Sequence, residues 1–252
     1  MGLQGKIAVV TGGSRGIGAV TSRLLAARGA SVIVNYLQHE SAAGQVVAEI
    51  RAAGGEAHAV QADVLDERQV AHLVETTMQR YGRIDILVNN AASMQASLRF
   101  LPVLQMQWED FITPITAELK AAFLLTRAVA PIMVRQQYGR LIYLASVRAK
   151  QPFPGGASLG TGKAGIIAFA RYVAQELGPH GITANVVAPG MTGTSSIANL
   201  PEQHRQRVIA MTPLGRVGQP EDVASVIAFF ADDDSGFMTG TYAPVNGGMA
   251  ME

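Results

Sequence analysis

The chain has 252 residues, 48% of them hydrophobic and 15% charged, enough for one large domain with a well-buried core over Met1 to Glu252. Its formal net charge of +1 sets up no field that would favour nucleic acid or an anionic membrane. It has no cysteine, which excludes disulfides and thiolate metal sites and fits a reducing compartment; no metal is expected.

Met1-Gly2-Leu3-Gln4-Gly5-Lys6 shows no apolar signal-peptide region, and Lys6 stands where a myristoylation pattern needs Ser or Thr. No apolar run is long enough to span a bilayer. A soluble cytoplasmic protein is expected, with neither a nucleic-acid nor a membrane partner.

Short apolar runs then alternate with longer stretches of helical period. Lys6 to Val10 reads as a strand, Ile17 to Arg28 as a helix, Ser31 to Asn35 as a strand and Glu40 to Ala53 as a helix. A strand near His58 to Gln61, a helix near Glu67 to Tyr81 and a strand Ile84 to Val88 follow. A helix near Pro114 to Gln136, a strand Leu141 to Ala145 and a helix near Ala157 to Leu177 continue the series. A strand Ile182 to Val187, a helix near Glu221 to Ala231 and a strand near Tyr242 to Val245 complete it. This alternation predicts an α/β fold, one Rossmann-type doubly wound domain with a seven-stranded parallel sheet and helices on both faces. Pro244 places the last strand at a sheet edge, where a missing N–H is tolerated. Ala92 to Thr113 and Met191 to Pro213 read as long loops, of the kind that build sites at the carboxyl ends of strands.

Thr11-Gly12-Gly13-Ser14-Arg15-Gly16-Ile17-Gly18 follows the first strand and opens the first helix. Glycines there let the backbone turn tightly and approach a pyrophosphate, and a helix N-terminus offers free N–H groups with partial positive charge. Dinucleotide binding by Gly12, Ser14, Arg15, Gly16, Ile17 and Gly18 is expected; ordinary tight turns also use glycine. After the second strand come Asn35-Tyr36-Leu37-Gln38-His39, with no acid before Glu40. An acid there would hold the ribose hydroxyls and repel a 2′-phosphate, and Arg15 can reach such a phosphate, so NADP(H) is favoured over NAD(H). The other reading of Arg15 is a solvated loop cation.

Further motifs agree in order and spacing. They are Ala62-Asp63-Val64, Asn89-Asn90-Ala91-Ala92, the run Ile182 to Gly190, Thr194, Pro213-Leu214-Gly215-Arg216, Pro220 to Ala224, and Asn246-Gly247-Gly248-Met249. Together with the glycine turn they make essentially the whole chain resemble the short-chain dehydrogenase/reductases, most of all the ketoreductases similar to the β-ketoacyl carrier-protein reductases. The resemblance implies nucleotide contacts at Asn35, Tyr36, Asp63, Val64, Asn90, Ala91, Lys163, Pro189, Gly190 and Thr194, the last toward a carboxamide. Ala92 stands where the family has Gly, and Asn246 where Asp is usual.

The active-site segment departs from that pattern. The family follows a Ser by a Tyr thirteen residues on and a Lys four further; here Ser146 and Lys163 are in place and Leu159 occupies the Tyr position. In the family the Tyr protonates the carbonyl oxygen, the Lys lowers the Tyr pKa and binds ribose, the Ser orients the carbonyl, and an Asn on the preceding helix holds a relay water. Counting back 28 residues from Ser146 puts the Asn slot at Glu118; counting from Trp108 puts it near Ile115. Neither is Asn. Glu118, one turn into a helix that Thr113-Pro114 would start, is the leading candidate for a substitute acid, which burial near Leu159 would keep protonated. Ser158, Thr161 and Tyr143 are weaker candidates, and Tyr143, inside a strand, reads as core.

Three functions stay open. One is an NADP(H)-dependent oxidoreductase acting on a small carbonyl or alcohol, with Ser146, Lys163 and Glu118 as its catalytic set. The second is a catalytically silent or cofactor-sensing subunit paired with an active paralogue. The third is lyase, isomerase or cyclase chemistry with Glu118 as base. The resemblance implies a homotetramer or homodimer, or a hetero-oligomer. Met94, Phe100, Leu101, Met106 and Trp108 would form an apolar pocket wall or lid, or else pack into core or interface.

Overall fold

A computed structural model of the chain describes residues 2–91, 98–194 and 202–251, residue 204 by its backbone alone. Seven strands form one parallel sheet: β1 (Ile7–Val10), β2 (Ser31–Tyr36), β3 (Glu56–Gln61), β4 (Ile86–Asn89), β5 (Gly139–Leu144), β6 (Ile182–Pro189) and β7 (Tyr242–Val245). Their order is β3-β2-β1-β4-β5-β6-β7, so the chain reverses its direction of travel between β1 and β4. In such sheets the crevice at the reversal, outside the strands' carboxyl ends, is where ligands bind. β7 lies at the edge, as Pro244 required, with Ala188 opposite Pro244.

The strands are short apolar runs because both faces are covered. Helices α1 (Gly16–Ala27), α2 (Glu40–Ala52) and α7 (Pro220–Ala231) cover one face, with Leu25, Val46, Ile50 and Ile227 in the core beneath them. Helices α3 (Glu67–Tyr81), α4 (Trp108–Gln136) and α5 (Ala157–Leu177) cover the other, over Leu73, Leu125, Ile166 and Ile167.

Two expectations are corrected. The helix expected from Pro114 begins at Trp108, because Gln107 and Asp110 form a capping box there, and Pro114 sits inside it. The stretch expected to be a loop from Met191 to Pro213 holds α6 (Glu202–Met211). Its run of polar side chains before Val208 hid the helical period, and Val208 is its one core residue among those described.

The amino ends of the strands carry their own polar lattice. Asp85, fully buried, accepts from the Ile7 amide at 2.8 Å and is bound by Arg83. Beside it Asp233 accepts from Arg140 and from the Tyr138 hydroxyl, both at 2.8 Å. Lys6 stands 3.5 Å from the centre of the Tyr138 ring.

Candidate active site

The carboxyl ends of β1 and β4 are tied together by Thr11 and Asn90. The Thr11 hydroxyl accepts from the backbone amides of Asn90 and Ala91 at 3.0 and 3.1 Å, and Asn90 Nδ2 donates to the Thr11 carbonyl at 2.8 Å. The glycine turn is packed so tightly on this junction that a Cβ on Gly18 would lie 2.2 Å from the Gly12 carbonyl oxygen. Gly16, at φ +53°, is in the left-handed region and lies against Thr194, brought in from beyond β6.

Asn35 is buried and its amide is spent inside the protein. Its Oδ1 accepts from the Gly12 amide at 3.3 Å, and its Nδ2 donates to the Ala62 carbonyl at 3.0 Å. It therefore holds the glycine turn onto the end of β3. Tyr36 is buried as well; burial, and then the charge of Glu40, raise its phenol pKa. Asp63 stands at the mouth, with Oδ1 accepting from the Leu65 amide at 2.9 Å, and Val64 packs in the core. Pro189 ends β6, and Gly190 donates to the Val245 carbonyl at 2.9 Å.

A dinucleotide fits these residues. Arg15 is the exposed N-cap residue of α1; no side chain caps that terminus and no acid stands in its first turn. Its free N–H groups are thus open to an anion, approached over glycines where any larger side chain would intrude.

Ser146 ends the run from β5 and caps a short 3-10 turn, Val147–Ala149, its Oγ accepting from the Arg148 amide at 3.2 Å. That leaves the Ser146 O–H free to donate. Leu159 and Lys163 lie one turn apart on α5, and so on one face of it. The Lys163 ammonium donates to the Leu144 carbonyl at 2.9 Å and forms an ion pair with Glu118 Oε1. The pair is nearly enclosed, the side chains retaining 11% and 6% of their exposure.

Glu118 thus lies in the third turn of α4, not the first. The sequence suggested a neutral carboxylic acid beside Leu159; the structure makes Glu118 the partner of Lys163. Its other oxygen, Oε2, is buried without a partner among the described residues, as are both amide atoms of Asn89. The two residues line one cavity of about 10 Å³, the room of about one water molecule. Asn89 went unassigned in the sequence, and no local pattern there joins it to a residue 29 positions on.

The weaker acid candidates have other work. Ser158 donates to the Phe111 carbonyl at 2.8 Å, tying α5 to α4, and Thr161 faces outward. Tyr143 is fully buried against Thr126, and burial pushes its phenol far above its usual range. Phe100 packs on Phe153 at 5.6 Å between ring centres, while Trp108 pairs with Phe111 at 5.9 Å. Met94 and Ala92 lie outside the described residues.

A family model described as enoyl-(acyl carrier protein) reductase matches residues 12–250. The 3-oxoacyl-[acyl-carrier-protein] reductase of Synechocystis sp. is 44% identical over 250 residues, covering 99% of this chain and 98% of that one. A protein of Thauera aromatica named (2S)-[(R)-hydroxy(phenyl)methyl]succinyl-CoA dehydrogenase subunit BbsD is 38% identical over 252 residues, covering 100% and 99%. Among solved structures, a double mutant of a Serratia marcescens short-chain dehydrogenase/reductase superposes with a TM-score of 0.91 at 30% identity, covering the whole of both chains.

Proposed function

This chain belongs to the short-chain dehydrogenase/reductase family of oxidoreductases, among relatives of the 3-oxoacyl-carrier-protein reductases, and on that footing we propose that it reduces a small carbonyl substrate with NADPH by a modified proton route. The observation that carries this reading is the meeting of three distant segments at the sheet's reversal: the glycine turn with Asn90 and Thr194, the Ser146 turn, and the Lys163–Glu118 pair. NADP(H) rather than NAD(H) is supported by the exposed Arg15 and by the lack of an acid between Asn35 and His39.

NADPH, when bound, supplies the hydride. Ser146 donates its free O–H to the substrate carbonyl oxygen and fixes its orientation. Leu159, at the place the family gives to Tyr, has no proton to offer, so the proton is drawn from solvent water beside the Lys163 ammonium. Glu118 holds that ammonium in place, and the third N–H of Lys163 remains for a ribose hydroxyl. A positioned general acid contributes roughly 10²–10⁴ in rate, so turnover by this route is slow beside that of a Tyr-bearing relative.

A second reading is favoured by Leu159 together with the name of the Thauera relative, which is that of a dehydrogenase subunit. Here the chain is a silent or cofactor-sensing partner of an active paralogue. In either reading it assembles with itself or with that paralogue through α4 and α5, whose outer faces expose Phe123 and Tyr172, and it works in the cytoplasm.

Fluorescence titration with NADPH, and with NADH beside it, is the test, followed by NADPH consumption with β-ketoacyl thioesters. Micromolar binding that prefers NADPH, with slow turnover, is expected. Binding without turnover would move the protein to the second reading, and no binding of either nucleotide would remove both forms of the cofactor site.

A further inference from the structure

The cavity of about 10 Å³ lies between the carboxyl ends of β1, β4 and β5 and the inner face of α4, and three polar atoms in its walls are unspent. They are Oδ1 and Nδ2 of Asn89 and Oε2 of Glu118, all buried and without a partner among the described residues. The other polar side chains of the wall are taken. The Thr11 hydroxyl donates to the Val88 carbonyl at 3.1 Å and accepts from the amides of Asn90 and Ala91, and the Tyr143 hydroxyl bonds that of Thr126 at 2.7 Å. Ala121, Ala122, Leu125 and Ile166 close the rest with hydrocarbon. Asn90, the next residue, spends its amide on the Thr11 and Gly12 carbonyls, whereas Asn89 lines the cavity.

Burying polar atoms unpaired is costly, above all a carboxylate oxygen, and a polar cavity of this size holds one water. A primary amide carries its N–H and its C=O side by side. One water accepts from Asn89 Nδ2, donates one hydrogen to Asn89 Oδ1 and has its second hydrogen for Glu118 Oε2. That makes three hydrogen bonds, the usual number for a buried water, and pairs all three atoms at once.

We propose that Asn89 is a positioning residue: through one enclosed water it braces the Glu118 carboxylate, and through Glu118 it sets the place of the Lys163 ammonium. The consequence for nucleotide binding rests on the reading of Lys163 as a ribose contact given above. Neither Ser146, Leu159 nor Lys163 lines the cavity, so this water is a brace and not a step in carrying a proton to substrate. It sits under the inner face of α4, so assembly through the outer faces of α4 and α5 leaves it in place.

A high-resolution crystal structure of the full chain should show one ordered water within hydrogen-bonding distance of both Asn89 and Glu118. A dry cavity, or Asn89 bonded directly to Glu118, would overturn the proposal. Asn89→Leu, close to Asn in size, should lower the urea unfolding midpoint by about 0.3–1 M, the cost of one stranded buried acceptor. Beside Glu118→Leu it should lower it no further, because no carboxylate remains to brace. Equal falls in both backgrounds would show that the two residues act independently, and would overturn the brace. Asn89→Leu should also weaken NADPH binding about 10-fold in the otherwise unaltered chain, the worth of a charge-assisted hydrogen bond, and change nothing beside Lys163→Met. Equal weakening in both backgrounds, or none in the first, would overturn the positioning role. The crystal structure and the urea cycle use no nucleotide. A chain that binds no NADPH would lose the redox reading, and these two measurements would still decide the brace.

Discussion

Replacing Glu118 by Leu tests the ion pair on which the proton route depends. Glu118 and Lys163 are the two members of one nearly enclosed pair, and among the described residues Leu144 is the only other acceptor for the ammonium. Removing the carboxylate strands a buried positive charge, which costs about 3–5 kcal/mol. At a urea dependence of about 3 kcal/mol per molar, the unfolding midpoint should fall by about 1–1.7 M. Lys163→Met should cost a similar amount, because Glu118 would then have no charged partner among the described residues. The double variant Glu118→Leu/Lys163→Met exchanges the pair for apolar groups and should recover most of the loss, since such exchanges are often near neutral. Urea unfolding followed by far-UV circular dichroism measures all four corners of the cycle. A Glu118→Leu cost below about 1 kcal/mol, with a double variant equal to the sum of the singles, would show two independent groups. Lys163 would then have no counter-charge to hold it, and the ammonium would lose its fixed place in the proposed site.

Leu159→Tyr should raise NADPH-dependent ketone reduction by roughly 10²–10⁴, the worth of a positioned acid. Unchanged turnover with nucleotide still bound would mean that the pocket no longer presents a carbonyl. Gly18→Ala should weaken NADPH binding by about 10-fold or more, because its Cβ would meet the Gly12 carbonyl oxygen at 2.2 Å; an unaltered titration curve would sink this reading of the turn. Asp222 is held at about 2 against an ordinary 3.8, first by its hydrogen bonds to Arg216 and then by the Gln219 amide. Its folded-state pKa is depressed, so its contribution is complete above about pH 4 and is lost as the pH falls toward 2. Asp222→Asn should flatten the acid limb of stability there, and an unchanged limb in urea melts between pH 4 and 2 would count against it.

The sheet was legible because its strands are buried on both faces and so appear as unbroken apolar runs between turn residues. The glycine turn was legible because its chemistry is local: eight consecutive residues hold both the close approach at Gly18 and the left-handed Gly16. Glu118 was found only by counting back from Ser146, and its pairing with Lys163 was not found at all. Forty-five residues separate Glu118 from Lys163, and only the packing of α4 on α5 brings them together. Asn35 was read for its place after β2 rather than for its burial; that its amide braces three backbone segments depends on register with β3. α6 escaped notice because a helix with one buried side chain among its described residues leaves almost no periodic trace.

The lattice of Asp85, Arg83, Arg140, Asp233 and Tyr138 sits at the amino ends of the strands, away from the turn that carries Ser146. This part of the fold's polar cohesion is thereby kept apart from the Ser146 turn. A lineage built this way has evolutionary room: it can give up an acid, rebuild a proton path or retire its catalysis, and still inherit a chain that folds.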